Sequence, residues 1–217
     1  MIERVMTRSY LYAPGHLPEQ LEGAFGHGAD VVVFDLEDGV PADRRDEARA
    51  NVAEALRRRV AWVRISPAGA DDAEADLAAI ERLAMGIRLP KTRSPDDPRW
   101  LLDRAPGVPV ICSIESGEGV RASPAIAAVQ GVSALSLGSR DLTADLACGD
   151  NWDELLPARE QLVGACRSAG IRAIDSVYYA VEDLDGLREA AEAARRLGFS
   201  GKSTLWPEQV ALINAAF

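Results

Sequence analysis

The stretch DVVVFDLED, residues 30–38, sets the pattern of the whole chain, because a run of apolar residues ends there in a cluster of acids. The run is continuously apolar rather than alternating, as is typical of a parallel strand covered on both faces. Similar short runs recur from one end of the chain to the other. The predicted strands are residues 9–13, 30–37, 61–66, 86–90, 108–115, 132–138, 172–177 and 201–205.

Amphipathic segments with helical spacing lie between the predicted strands. Three apolar stripes show this spacing: Ala48, Val52, Ala55 and Leu56; Leu77, Ile80 and Ala84; and Leu184, Leu187, Ala191 and Ala194. Proline and glycine mark the expected helix ends. The predicted first turns contain Pro41, Pro98 and Pro157, and the predicted helix ends precede Gly170 and Gly198. Strands and helices therefore alternate along the chain.

This alternation predicts an α/β fold with a parallel sheet, and no linker or repeat divides the 217 residues. We therefore expect one domain over residues 1–217. Such a sheet is either closed as an eightfold barrel or open and doubly wound. The count of eight predicted strands favours a single (β/α)8 TIM barrel.

Composition excludes several classes of protein. The chain is 47% hydrophobic and 27% charged, which is typical of a soluble globular domain. Its net charge of −10 argues against a nucleic-acid partner, since that affinity depends on a basic surface. The longest apolar run, residues 31–34, is too short to span a bilayer, and the three cysteines form no disulfide framework. We expect a cytoplasmic protein with no membrane partner.

Polar side chains gather at the carboxyl ends of the predicted strands, where barrel enzymes place their chemistry. The residues at or just after such ends are Glu37, Asp38, Arg64, Lys91, Glu115, Asp141 and Asp175. A lone acid in this position is usually a solvated loop charge. Several acids at one barrel mouth would repel one another unless a cation compensated them. The pattern therefore indicates a functional site.

The acids favour Mg²⁺ as the compensating cation. Glu115 and Asp141 end neighbouring strands and could share one ion, with water completing its coordination. The sequence has no cysteine cluster, and its two histidines cannot build a histidine-rich zinc site. Arg64 is placed across the mouth, where it could hold a substrate carboxylate or a developing oxyanion.

A second motif competes with this interpretation. GEGVRA, residues 117–122, matches the dinucleotide-binding pattern G-x-G-x-x-A. It follows the fifth predicted strand rather than the first, and Pro124 shortens the helix that should cradle a pyrophosphate. The sequence also contains no G-x-S-x-G nucleophile motif. An open nicotinamide-binding fold and a serine hydrolase are therefore less favoured alternatives.

Short motifs along nearly the whole chain resemble the citrate lyase β-subunit-like branch of the HpcH/HpaI aldolase superfamily. They occur in family order: RSYLYAPG (8–15), DLEDGV (35–40), VRI (63–65), LPK (89–91), IE (114–115), LG (137–138), DL (141–142), GFSGK (198–202) and PEQV (207–210). Each motif is weak alone, but their common order makes the set specific.

The resemblance implies a TIM barrel that binds Mg²⁺ through Glu115 and Asp141. Arg64 matches the family residue that contacts the keto-acid or thioester oxygen. The implied catalytic residues are Arg64, Glu37 and Asp38. The implied substrate-binding residues are Arg64, Lys91 and Gly138.

The activity implied by the resemblance is a Mg²⁺-dependent carbon–carbon lyase of retro-Claisen or aldol type. Family members act on short 3-hydroxyacyl thioesters such as citryl-, malyl- or citramalyl-CoA, and they commonly form trimers or hexamers. Three alternatives use the same scaffold: a metal- and keto-acid-binding subunit without lyase activity, a thioester hydrolase and a pyruvate-type aldolase. The choice between a coenzyme A and a carrier-protein thioester stays open.

The sequence departs from the family pattern at its C-terminal end. The family's lyases continue past the eighth barrel helix into a segment that covers the site and carries an aspartate proposed to protonate the enolate. We expect this chain to be a short form without that segment, since the sequence ends at Phe217. In addition, LWP at residues 205–207 stands where the family usually has Ile-His-Pro.

Overall fold

Eight parallel strands form a closed barrel in the computed structural model, which describes residues 7–80 and 83–217. The strands are β1 Ser9–Pro14, β2 Val31–Asp35, β3 Trp62–Arg64, β4 Gly86–Leu89, β5 Val110–Ile114, β6 Val132–Leu137, β7 Arg172–Asp175 and β8 Gly201–Thr204. They follow one another around the barrel in chain order, and β1 pairs with β8 to close it. The predicted (β/α)8 barrel is confirmed, and the open nicotinamide-binding alternative is wrong.

Helices surround this barrel and connect its strands. In the described part of the chain they are α1 Pro18–Gly23, α2 Arg45–Leu56, α3 Asp71–Ile80, α4 Asp96–Arg104, α5 Gly117–Ala127, α6 Ser139–Leu146, α7 Trp152–Ala169, α8 Leu184–Leu197 and α9 Val210–Ala216. Two helices, α6 and α7, connect β6 to β7, and one helix follows each other strand. Among these described helices, none has both the length and the apolar character that a bilayer crossing requires.

Two of the predicted helix starts are wrong by several residues. Helix α7 begins at Trp152 because the side chain of Asn151 caps it, accepting a 3.0 Å hydrogen bond from the backbone N–H of Glu154. Pro157 therefore lies inside the helix. The other displaced start is that of α2, which begins at Arg45, four residues after Pro41. Pro98 lies in the first turn of α4 as predicted, and proline is tolerated there because those N–H groups have no partner within the helix. The predicted ends before Gly170 and Gly198 are confirmed.

The core has two layers, because alternate strand residues face the helices and the barrel interior. Along β1, Leu11 and Ala13 belong to the large cluster between strands and helices. Tyr10 and Tyr12 belong to the smaller interior cluster, as does Trp62. The interior cluster consists of Tyr10, Tyr12, Val31, Val33, Trp62, Ile111, Ala134 and Ile174.

The predicted apolar stripes pack against the outer layer except at Leu184, although Ala84 of the second stripe lies beyond Ile80, where α3 ends. Ala48, Val52, Ala55 and Leu56 of α2 are all buried, as are the last three members of the α8 stripe. Leu184, the first residue of α8, is 46% exposed. The stripe therefore begins one turn later than predicted.

Asp175 does not lie at the barrel mouth with the other acids. Its carboxylate is fully buried, and it accepts hydrogen bonds from Lys202 Nζ at 2.5 Å and Arg159 Nε at 3.1 Å. Because Arg159 belongs to α7, this buried triad lies on the helix side of the sheet. The triad ties β7, β8 and α7 together, so Asp175 has a structural role that its position at a strand end did not reveal.

Candidate active site

A cavity of about 280 Å³ opens at the carboxyl ends of the strands. Of the predicted site residues, Arg64, Asp38, Glu115, Gly138 and Asp141 line it. An adjoining recess shares Glu115 and Asp141 with this cavity and adds Lys91. The fold therefore places residues from distant parts of the sequence around one small volume.

Arg64 is held in place by two carboxylates. Its Nε and Nη2 donate to the two oxygens of Asp35, each at 2.6 Å, and its Nη1 lies 3.1 Å from Glu37 Oε2. Burial opposes the positive charge of Arg64, but the carboxylate of Asp35 outweighs it and raises the pKa of Arg64 well above its usual value. The guanidinium is thus permanently charged and fixed in orientation.

Asp35 is itself fixed by the loop that follows β2. Its oxygens accept hydrogen bonds from the backbone N–H of Glu37 at 3.0 Å and of Gly39 at 2.9 Å. A Cβ at position 39 would lie 2.2 Å from Asp35 Oδ2, so any larger residue here would displace the Asp35 carboxylate. The loop therefore fixes Asp35, and Asp35 in turn fixes the orientation of Arg64.

Glu37, Asp38 and Lys91 form a second charged group beside Arg64. Lys91 Nζ lies 2.5 Å from Glu37 Oε1 and 3.0 Å from Asp38 Oδ1. Burial raises the pKa of Glu37, although the neighbouring cations oppose the rise. Neither buried oxygen of Glu37 has a partner with good hydrogen-bond geometry. Lys91 also has a left-handed backbone with φ of 50°, a strained conformation that functional sites often contain.

Glu115 and Asp141 differ from these acids, because no side chain or backbone donor of the described residues pairs with either carboxylate. Burial, reinforced by the charge of Glu37, raises the pKa of Glu115 to about 8. Gly138 packs directly against Glu115, and a Cβ at position 138 would lie 2.4 Å from Glu115 Cγ. Two uncompensated acids therefore face the cavity together.

This donor set fits Mg²⁺ better than a tightly caged metal. Within residues 7–80 and 83–217 there is no group of three or more His, Cys, Asp or Glu side chains that could enclose an ion. Mg²⁺ needs only one or two protein carboxylates, because it keeps several water or substrate ligands. Glu115 and Asp141 supply those carboxylates and leave the cavity side open.

Asp35, Tyr12 and Arg88 line the cavity and were not among the predicted site residues. Asp35 orients Arg64. The guanidinium carbons of Arg64 and Arg88 lie 4.9 and 5.0 Å from the centre of the Tyr12 ring. Burial raises the pKa of Tyr12 to about 12, so its phenol is neutral. The sequence could have identified Arg88, because it is a charged residue inside the otherwise apolar strand β4.

A larger groove of about 750 Å³ lies beside the cavity. The two share Ser139, Val177 and Tyr179 as walls, and the groove continues outward between α7 and α8. A substrate seated in the cavity could therefore extend a long arm over this surface.

Comparisons with known proteins find a matching family, similar sequences and similar structures. The family described as HpcH/HpaI aldolase/citrate lyase matches residues 8–207. A (3S)-malyl-CoA thioesterase of Cereibacter sphaeroides is 34% identical over 220 residues, covering 97% of this chain and 76% of the relative. The citrate lyase subunit beta of Haemophilus influenzae is 31% identical over 232 residues, covering 98% of this chain and 80% of the relative. A citrate lyase beta subunit of Mycobacterium tuberculosis, solved with oxaloacetate and magnesium, has a TM-score of 0.88 and 27% identity, covering 100% of this chain and 99% of that chain.

Proposed function

Because this chain belongs to the HpcH/HpaI aldolase/citrate lyase family, we propose that it is a Mg²⁺-dependent carbon–carbon lyase acting on a short 3-hydroxyacyl thioester. One observation carries the proposal: Glu115 and Asp141 have no partner among the described residues and line the same cavity as the fixed guanidinium of Arg64. Citryl-, malyl- and citramalyl-CoA are the candidate substrates.

Glu115 and Asp141 would hold the Mg²⁺. When bound there, the ion would polarise the carboxylate and hydroxyl of the substrate and make the hydroxyl more acidic. Gly138 leaves the space that Glu115 needs for this role. The remaining steps fall to the charged side chains around the cavity.

Arg64 would stabilise the negative charge that develops on the thioester oxygen. Two of the five guanidinium N–H groups donate to Asp35 and a third nitrogen lies against Glu37, so at least two N–H groups remain for a ligand. In the proposed cleavage the hydroxyl proton leaves, the carbon–carbon bond breaks, and its electron pair passes to the α-carbon of the thioester, which then takes up a proton. The products are a keto acid and the shortened thioester.

Glu37 is the candidate acceptor of the hydroxyl proton. Its oxygens lie between Arg64 and Lys91 yet lack well-formed hydrogen bonds, so they can rearrange toward a ligand. Asp38 and Lys91 would hold Glu37 in place from the outer side.

Thioester hydrolysis is a second candidate, favoured by the 34% identity to a (3S)-malyl-CoA thioesterase. The same carboxylates and Arg64 would position the thioester, and the products would be the free hydroxy acid and the free thiol. Hydrolysis breaks the carbon–sulfur bond and consumes one water molecule, whereas the lyase reaction breaks the carbon–carbon bond and consumes none.

Product analysis with a matched pair of variants tests the proposal. Purified protein is incubated with Mg²⁺ and each of the three CoA thioesters, and acetyl-CoA, keto acid and free CoA are quantified. Lyase activity yields acetyl-CoA and keto acid in equal amounts, whereas hydrolysis yields free CoA. Glu115→Gln should abolish turnover, and Glu118→Gln, an exposed glutamate three residues along the chain, should not.

Two results would reject the lyase. Turnover that survives Glu115→Gln would remove the metal site from the mechanism. Binding of Mg²⁺ and a keto acid by a protein that converts none of the thioesters would favour the non-lyase subunit, and conversion of a free 4-hydroxy-2-keto acid alone would favour the pyruvate-type aldolase.

A further inference from the structure

Arg88 is a buried cation in the interior of the barrel. It is 3% exposed, and all three of its guanidinium nitrogens donate to serine hydroxyls. Nε donates to Ser113 at 3.0 Å, Nη1 donates to Ser203 at 3.2 Å, and Nη2 donates to Ser136. These serines belong to β5, β8 and β6, so the guanidinium is held at a fixed position by neutral groups alone.

The absence of a counter-ion sets Arg88 apart from the other buried cations. Arg64, Arg159 and Lys202 each lie within 3.1 Å of a carboxylate. Among the residues that the structure describes, no carboxylate lies within 4.0 Å of Arg88. An unpaired buried charge is costly, so proteins rarely retain one unless a ligand supplies the opposite charge.

The only open space that Arg88 reaches among the described cavities is the one that contains Glu115, Asp141 and Arg64. Glu115 lines this cavity, but its charge is assigned to the proposed Mg²⁺. A ligand in the cavity is therefore the remaining source of negative charge for Arg88.

The chemistry of the proposed substrates identifies which ligand group this is. The carbon that bears the hydroxyl also bears a carboxylate and one further substituent, which is hydrogen, methyl or carboxymethyl in malyl, citramalyl and citryl thioesters. A Mg²⁺ ion held by Glu115 and Asp141 would bind the hydroxyl and its adjacent carboxylate. Only carboxymethyl brings another negative charge.

We propose that Arg88 is a specificity-determining residue that binds a second carboxylate on the acid portion of the substrate. Two of its five N–H groups are not used by the serines and can form a bidentate pair. The Tyr12 ring, 5.0 Å away, keeps the plane of the guanidinium fixed. The cavity of about 280 Å³ suits a small dicarboxylic keto acid. This inference rests on the proposed function and narrows its substrate to the citryl class.

Calorimetric titration tests the proposal without requiring turnover. Oxaloacetate and pyruvate share the keto-carboxylate group and differ in one carboxylate, so they are matched probes. At saturating Mg²⁺ the wild type should bind oxaloacetate at least about 10-fold more tightly than pyruvate. Arg88→Met should remove this preference while changing the pyruvate affinity less than about twofold. Arg88→Lys should retain part of it, and Arg99→Met, which alters an exposed arginine, should leave it unchanged.

Several outcomes would overturn the proposal. If Arg88→Met lost affinity for oxaloacetate and pyruvate equally, Arg88 would hold the strands together and would not determine specificity. If Arg88→Met fails to fold, the wild-type ratio still decides, because equal affinity for the two acids contradicts the proposal without any variant.

The proposed function and this inference can fail separately. An oxaloacetate preference that depends on Arg88, in a protein that cleaves no thioester, rejects the lyase and retains the specificity role. Cleavage of malyl- or citramalyl-CoA in preference to citryl-CoA retains the lyase and rejects the specificity role.

Discussion

At the scale of single residues, Gly138 determines where the carboxylate of Glu115 can lie. Because a Cβ at position 138 would approach Glu115 Cγ to 2.4 Å, Gly138→Ala should push the carboxylate away from Asp141. We expect this variant to bind Mg²⁺ about 10- to 100-fold more weakly, as is usual when the support of a metal ligand is altered. Calorimetry with Mg²⁺ alone measures the effect.

Gly164→Ala is the matched control for this variant. Position 164 lies in α7, and a Cβ there would meet no neighbouring atom within 4 Å, so the Mg²⁺ affinity of this control should equal that of the wild type. An unchanged affinity in Gly138→Ala would place the metal away from Glu115.

Arg64 provides a second prediction at this scale, because its planar fork matches Asp35 in a way that lysine cannot. Arg64→Lys should lower kcat/KM about 100-fold, which is typical for the loss of an oxyanion donor. Steady-state kinetics on the best thioester measures this change, with exposed Arg99→Lys as the control. Wild-type kinetics in Arg64→Lys would remove Arg64 from the site.

At the scale of secondary-structure elements, the buried triad of Asp175, Lys202 and Arg159 joins β7, β8 and α7. Asp175→Asn leaves two buried cations without a carboxylate and should lower the free energy of unfolding by about 3–5 kcal/mol. Lys202→Met leaves Asp175 paired with Arg159 and should cost at most about 1–2 kcal/mol. Urea denaturation followed by circular dichroism gives both values. If both variants lowered the free energy of unfolding equally, the number of buried charges left unpaired would not explain the effect.

The same elements show what the sequence could and could not predict. Apolar runs such as residues 31–34 located the strands, because a parallel strand covered on both faces must be apolar throughout. The strand ends also identified Arg64, Glu115 and Asp141, which line one cavity. The site roles of these residues stay predictions.

Side-chain pairing was beyond the reach of sequence patterns. Asp175 and Glu115 both follow apolar strands, yet one faces α7 with two cations and the other faces the cavity with none. Which face an acid occupies depends on a difference of one residue in register. The serine partners of Arg88 come from three other strands, so only the closed barrel brings them together.

At the scale of the whole molecule, contacts around Arg8 stabilise the closure of the barrel. Its Nε and Nη2 donate to Asp30 at 2.8 and 2.9 Å, and its Nη1 donates to the carbonyl of Asn214 in α9 at 3.0 Å. The side chain of Ser9 also donates to Asn214 Oδ1. The start of β1 is thereby tied to β2 and to the last helix.

The ion pair between Arg8 and Asp30 makes the free energy of unfolding depend on pH. The hydrogen bonds from Arg8 lower the pKa of Asp30 in the folded protein below its unfolded value of about 3.9. Such a group stabilises the fold above the unfolded pKa, and the contribution is lost as the pH falls through the folded pKa. Asp30→Asn should therefore lower the free energy of unfolding by about 1–2 kcal/mol at pH 7, and this difference from the wild type should disappear as the pH falls through the folded pKa of Asp30.

Thermal denaturation at a series of pH values measures this difference. Asp103→Asn, which alters an exposed aspartate with no ion pair among the described residues, should follow the wild type throughout. A gap between Asp30→Asn and the wild type that widened toward low pH would contradict the assigned role.

The oligomeric state belongs to this scale as well. The trimer or hexamer stays a prediction, and light scattering of the purified protein tests it. A monomer that turns over substrate would show that the cavity is complete within one chain.

Because Ser9 of β1 pairs with Lys202 of β8, the barrel can close only late in translation. The first strand leaves the ribosome long before its neighbour on one side exists, so its unpaired edge stays available to other chains during translation. The barrel closes only after residues 201–204 have emerged. Nascent chains stalled before that point should therefore associate or recruit chaperones, whereas chains stalled beyond it, with their last helix outside the exit tunnel, should resist proteolysis.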